Sequence, residues 1–123
     1  MKFNIEVLNP HNVIDNEKMV LCMYLKQKLN SFNINEFDLI TDLFINGGLR
    51  KIILDMEELQ FIDSPAIGTI INTTKKIRKL KGDIIVTRYS SNILKIVEPV
   101  KLNKFIKFFP TLEAGLTHLK TMR

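Results

Sequence analysis

A mixed β-sheet with helices packed on it, α/β or α+β in class, is what three features of this sequence predict. Residues 51–56 and 83–87 are short β-branched apolar runs, suited to strands buried on both faces. After each run, apolar residues recur at helical spacing, so strands alternate with helices and parallel strand pairs are favoured. The start of the chain instead alternates apolar and polar residues, the period of a strand with one face in water. About five strands and about four helices are expected. No repeat or Pro/Gly/Ser-rich linker divides the 123 residues, which predicts a single domain over 1–123.

Phe3, Ile5 and Val7 alternate with Lys2, Asn4 and Glu6, giving a half-buried first strand closed by the turn formers Asn9-Pro10. Residues 19–29 are more apolar and lack a clear period. A second, more buried strand is expected there, with helix as the competing reading, and the first two strands can pair through their longer connection. Asn33 or Asn35 can cap a helix carrying Phe37, Ile40, Leu43 and Phe44, which Gly47-Gly48 ends. Residues 51–56 form a central strand.

Ser64-Pro65 reads as a helix start, with serine as N-cap and proline at the first helical position, where its missing N–H costs nothing. The helix runs to about Lys81 on a stripe of Ile67, Ile70, Ile71, Thr74, Ile77 and Leu80, and Gly82 stops it. A strand follows at 83–87. Ser90-Ser91-Asn92 then caps a short helix through Ile93, Leu94, Ile96 and Val97, ended by Pro99. Phe105 to Phe109 reads as a last strand or extended segment, and Pro110-Thr111 opens a final helix bearing Leu112, Leu116 and Leu119. The expected core contains Ile53, Leu54, Ile67, Ile70, Ile71, Ile77, Ile85 and Leu116.

Composition narrows the function. An apolar fraction of 46% with 25% charged residues is that of a packed globular protein. Cys22 is the only cysteine, so no intrachain disulfide can form, and a reducing, cytoplasmic setting is expected. Residues 1–6 lack the apolar core and cleavage site of a secretory signal, no apolar run is long enough to span a bilayer, and no membrane partner is expected. His11 and His118 have no partners at metal-ligand spacing, and Gly47-Gly48 is too short to cradle a phosphate. No metal, cofactor or catalytic group is therefore expected. The carboxylates Asp55, Glu57, Glu58 and Asp63 read as a solvated loop, with Asp63 orienting the turn or touching a partner.

The segment Leu54-Asp55-Met56-Glu57-Glu58-Leu59-Gln60-Phe61-Ile62-Asp63-Ser64-Pro65-Ala66-Ile67-Gly68 resembles the signature of STAS-domain anti-sigma-factor antagonists. In that family a buried strand ends in a turn and an Asp-Ser pair opens a helix. Asn30-Ser31 after the second strand and Thr111-Leu112-Glu113-Ala114-Gly115-Leu116 in the last helix extend the resemblance to nearly the whole chain. It implies a STAS-like fold and a non-enzymatic binding module. The phosphorylated serine of the family maps onto Ser64, and the partner-binding residues onto Asn30, Ser31, Asp63, Ser64, Pro65, Ala66 and Ile67. The implied partners are an anti-sigma factor that is also a nucleotide-bound serine kinase, and a serine phosphatase. Three positions depart from the family pattern: Pro65 stands where Ser or Thr is usual, Ala66 where Gly is usual, and Asn30 where Asp is common.

Two alternatives remain at this point. A STAS scaffold or accessory subunit of another signalling or transport complex would share the fold without a working phospho-switch. Nucleic-acid binding is suggested by the net charge of +5 and by two basic stretches. One is Lys75, Lys76, Arg78, Lys79 and Lys81, whose ordinary reading is a solvated helix face; the other interleaves Lys101, Lys104 and Lys107 with Phe105, Phe108 and Phe109, aromatics that ordinarily fill a core.

Overall fold

Among the described residues (3–11, 15 and 17–122) of a computed structural model, the chain forms five strands and five helices. In chain order they are β1 (Asn4–Leu8), β2 (Val20–Leu29), α1 (Ile34–Asn46), β3 (Lys51–Ile62), α2 (Ser64–Lys79), β4 (Asp83–Thr87), α3 (Ser91–Val97), α4 (Leu102–Phe105), β5 (Lys107–Phe109) and α5 (Leu112–Lys120). The strands form one sheet in the order β1-β2-β3-β4-β5. β1 pairs antiparallel with β2, and every other pair is parallel.

A sheet whose parallel strands follow chain order, each joined to the next by a crossover of the same hand, places all the crossover helices on one face. The packing agrees. Phe37 and Ile45 of α1, Ile70 and Ile77 of α2, Ile93 of α3 and Leu102 of α4 share one apolar cluster with Leu21, Ile52, Leu54 and Val86 of the sheet. On the other face Leu119 of α5 packs with Val20, Cys22, Ile53 and Ile85. β2, β3 and β4 are thus covered on both sides, which is why their sequences run apolar without alternating.

Several expectations need correction. β3 extends to Ile62, twice the length its apolar run suggests, because β2 continues beside it to the pair Leu29↔Ile62. Register shifts between Tyr24 and Lys26 and between Gln27 and Lys28 bend this extension, and Gln27 takes a left-handed conformation at φ 60°. Ile53, Leu54, Ile67, Ile70, Ile77 and Ile85 are buried as expected, whereas Ile71 and Leu116 pack only in part against the clusters. Leu43 is exposed because α1 turns Ile34, Phe37, Thr41 and Ile45 inward. β1 is an edge strand, and Ile5 and Val7 are 42% and 45% exposed, close to the half-buried state expected.

The ends of α2 and α4 also differ. Lys81 N–H donates to the Arg78 carbonyl (3.0 Å) and Gly82 N–H to the Ile77 carbonyl (2.8 Å), the paired bonds of a Schellman ending. The left-handed residue is Lys81, at φ 66°, and Gly82 serves a different need. A Cβ there would press on the Arg50 carbonyl and lie 2.8 Å from Ile77 Cγ1. Phe105 belongs to the short α4 rather than to the last strand, which begins at Lys107.

Candidate functional site at the start of α2

β3 ends at Ile62, and the extended backbone of Asp63 (φ −98°, ψ 174°) turns the chain into α2. The Asp63 carboxylate holds two elements together. Oδ1 accepts from Ala66 N–H at 3.0 Å and so caps α2, while Oδ2 accepts from Ser31 N–H at 2.9 Å in the loop after β2. The N-cap is therefore Asp63 and not Ser64. Aspartate competes for this role on equal terms with serine, and the strand delivers Asp63 to the position with extended φ and ψ. Ser64 becomes the first helical residue and Pro65 the second.

This shift changes what the helix end offers. Pro65 has no N–H, Ala66 N–H is taken by Asp63 Oδ1, and Ile67 N–H donates to the Asp63 carbonyl at 3.0 Å. The first turn thus presents little beyond the Ser64 N–H, rather than a set of free donors. The helix dipole still favours negative charge here, but the Asp63 carboxylate already supplies one.

The loop after β2 is held by its asparagines. Asn30 Oδ1 accepts from Phe32 N–H (2.9 Å), Asn33 Oδ1 accepts from Asn30 N–H (2.9 Å), and Asn33 Nδ2 donates to the Lys28 carbonyl (2.8 Å). Asn33 is the N-cap residue of α1 by position, yet its side chain serves this loop instead of the helix. The backbone is pinned and one side chain is thrown outward: Phe32 is 93% exposed. Phe61, 43% exposed at the end of β3, lines the same groove as Lys28, Asn30, Ser31, Phe32 and Asp63. Asn92 Nδ2 closes the neighbouring edge by donating to the Gln60 carbonyl at 2.8 Å.

Of the site residues expected from sequence, Asn30, Ser31, Asp63, Ser64 and Pro65 come together at the surface. Ala66 is 0% exposed and Ile67 is buried as well, so both face the core and no partner can reach them while α2 stays docked. Phe32, Phe61 and Asn92 were not among the expected residues. The signal for Phe32 is an aromatic standing alone in the turn-forming run Asn30-Ser31-Phe32-Asn33, where nothing apolar is needed for folding. Removing both Asp63 bonds with Asp63→Ala is expected to cost about 1–2 kcal/mol, read from the urea midpoint, through loss of a cap and a loop tether.

The remaining candidates are structural. Asp55 is buried, not part of a solvated loop: Oδ2 accepts from Thr87 Oγ1 (2.8 Å) and Arg88 Nε (2.7 Å), and Oδ1 from Arg88 Nη2 (3.2 Å). Glu57 adds a contact to Arg88 Nη1 at 3.2 Å. Burial pushes the Cys22 thiol up to about 11, so it stays protonated and unreactive near neutral pH. The aromatics of the second basic stretch have partners: Phe105 lies 4.6 Å under the Arg78 guanidinium, and Phe108 and Phe109 lie 5.2 Å from Tyr89 and His118. In the first stretch, Lys76 binds Asp42 at 2.7 Å and Arg78 binds Asp83 at 2.9 Å. Among the described residues no cluster of His, Cys, Asp or Glu could hold a metal ion, and no helix is long and apolar enough to cross a membrane.

Comparison with known proteins gives this geometry a context. The profile of the STAS domain matches residues 11–115. A Thermotoga neapolitana relative, a homolog of TM1081 that carries the anti-sigma factor antagonist name, is 22% identical over 90% of this chain and 96% of its own length. Among solved structures, the unphosphorylated anti-sigma factor antagonist SpoIIAA superposes with a TM-score of 0.78 at 17% identity, covering 99% of both chains. The phosphorylated form of SpoIIAA, a cell fate determinant of Bacillus, superposes with a TM-score of 0.69 at 18% identity over 96% of this chain and 99% of that one.

Proposed function

Because this chain belongs to the STAS-domain family, we propose that it is an anti-sigma-factor antagonist of the cytoplasm, a protein-binding module without enzymatic activity of its own, controlled by phosphorylation of Ser64. The observation that carries the reading is the placement of Ser64. Its side chain is exposed and makes no hydrogen bond among the described residues, at the first position of α2, beside the Asp63 carboxylate that ties α2 to the loop at Ser31. A free hydroxyl on a rigid helix end is what an incoming kinase needs. The names carried by the relatives, and the existence of SpoIIAA in phosphorylated and unphosphorylated forms, support the same role.

The partner is an anti-sigma factor that also acts as a serine kinase and carries a nucleoside triphosphate. Its γ-phosphoryl group passes to Ser64 Oγ, which gives up its proton, and the diphosphate stays with the partner. A serine phosphatase restores the hydroxyl. Asn30, Ser31, Asp63 and Ser64 form the polar part of the docking surface, and Pro65, Phe32 and Phe61 provide its apolar contacts. Exposed aromatics next to a polar rim are the usual centre of such interfaces.

The phosphate adds about −1.5 to −2 charges at neutral pH one residue from Asp63. With few free N–H donors in the first turn, that charge is poorly compensated within the domain. The kinase surface docked over it bears the repulsion, and the Asp63–Ser31 tether weakens.

Incubation with the cognate kinase and ATP, followed by mass spectrometric mapping, should place a single phosphate on Ser64 and none on Ser64→Ala. Phosphate on another residue, with Ser64→Ala still modified, would overturn the proposal. Phe32→Ala should leave the urea midpoint unchanged, since the ring buries almost nothing, yet weaken partner binding about tenfold by calorimetric titration.

A further inference from the structure

We propose that the end of the molecule opposite Ser64 is a docking surface for anionic lipid headgroups. β3 runs toward α2 at one end of the sheet, and α2 returns to the other, where it meets α4 through the 2.7 Å bond from Arg78 Nη2 to the Phe105 carbonyl. β5 is parallel to β4, so the segment leading into it lies at this same far end. Two short stretches therefore come together there: Lys79-Leu80-Lys81 closing α2, and Val100-Lys101 with Lys104 opening α4.

Three observations on this surface point the same way. Lys79, Lys81, Lys101 and Lys104 have no acidic partner among the described residues, whereas Lys76 and Arg78 of the same helix are both paired. Leu80 and Val100 are 43% and 53% exposed, each directly beside one of these lysines. Among the described residues Lys81 and Lys101 are two of the four non-glycine residues with positive φ, at 66° and 61°, positions where glycine or asparagine would relieve strain.

A lysine in the last turn of a helix is accounted for by the helix dipole, and that suffices for Lys79. It does not account for lysines in left-handed positions or for the bare leucine and valine between them. Aliphatic side chains flanked by lysines match a bilayer interface, where the chains enter the headgroup boundary and the ammonium groups meet phosphate. Nucleic acid fits less well, since among the described residues this end offers no exposed aromatic for stacking, and its arginines are engaged, Arg78 by Asp83 and Arg50 by the Ile45 and Leu49 carbonyls. Glu98 is exposed nearby and subtracts from the positive field without cancelling four lysines. The mode is peripheral, lying on the surface and not spanning it, and it revises the expectation that no membrane takes part. It does not depend on the role of Ser64.

Flotation of the full chain with vesicles of phosphatidylcholine and phosphatidylserine in equal parts, beside phosphatidylcholine alone, tests the proposal. At low ionic strength the protein should float with the anionic vesicles only, and raised salt should release it. Each lysine contributes about fivefold to partitioning. Replacing all four (Lys79→Gln, Lys81→Asn, Lys101→Asn, Lys104→Gln) should therefore lower it by roughly several hundredfold, with asparagine chosen to suit the left-handed positions. Leu80→Ser with Val100→Ser should lower it several-fold at unchanged charge. An unchanged circular dichroism melting curve will show that the variants fold. No flotation at low salt, flotation insensitive to both sets of substitutions, or displacement of the protein from vesicles by an equal charge of single-stranded oligonucleotide would each overturn it.

Discussion

Ser64→Asp is expected to bind the anti-sigma factor about ten- to a hundredfold more weakly than wild type, while unfolding at nearly the same urea concentration. Both halves follow from Ser64 being the first helical residue and not the cap. An aspartate at that position is favoured by the helix dipole and disfavoured by the adjacent Asp63 carboxylate, so stability should change by less than about 0.5 kcal/mol. A docked partner must desolvate the new charge at a contact shaped for a hydroxyl, and about 1.4–2.8 kcal/mol of lost binding corresponds to that affinity range. Ser64→Ala should keep full affinity and leave stability unchanged or raised by a few tenths of a kcal/mol, roughly the helix-propensity gain, because no cap bond is removed. Calorimetric titration of both variants against the kinase, with urea unfolding in parallel, checks the pair. Wild-type affinity for Ser64→Asp would show that the helix end is not the contact.

Arg88→Ala is expected to lower stability by about 3 kcal/mol, the largest single effect on folding considered for this chain. Asp55 is buried in the middle of the sheet, and its two oxygens are satisfied by Arg88 and Thr87. Removing the guanidinium leaves a desolvated carboxylate with the Thr87 hydroxyl as its remaining side-chain partner. Arg88 is itself partly exposed, so solvent will enter and keep the loss toward the lower end for a broken buried pair. Replacing both members, Asp55→Leu with Arg88→Met, should recover part of the stability, since no charge is left desolvated while the buried Thr87 hydroxyl loses its acceptor. Urea unfolding of the two singles and the double closes a mutant cycle. A loss under about 1 kcal/mol for Arg88→Ala would place the pair with ordinary surface ion pairs.

Periodicity made the alternation of strands and helices legible because burial imposes it directly. A strand covered on both faces must be mostly apolar, as Ile52, Ile53, Leu54 and Met56 are, and a helix on a sheet must carry a stripe, as Ile70, Thr74 and Ile77 do. Turn chemistry was legible where a single residue does the work. Thr111 caps α5 through Ala114 N–H, Ser90 caps α3 through Ile93 N–H, and Gly48 takes φ 102° after α1. The Asp63-Ser64 pair was legible as a helix start, but two adjacent capping residues cannot be ranked from their side chains alone.

Sequence by itself determined the class of fold and the order of its elements apart from the short α4, since each depends on contacts within a few residues, and the resemblance of residues 54–68 to the STAS signature pointed to the candidate site at the start of α2. Tertiary structure decided the rest, because it depends on which segments lie side by side. The length of β3 was set by its partner β2, and the cap by the strand that delivers Asp63 with extended backbone. Asp55 acquired its role from Arg88, 33 residues away, and the Asp63–Ser31 bond joins residues 32 apart. The exposure of Phe32 likewise follows from a loop geometry that asparagine side chains impose across the turn. Such pairings leave no periodic trace in the chain, because the energy that selects them arises only after the sheet has brought the partners together.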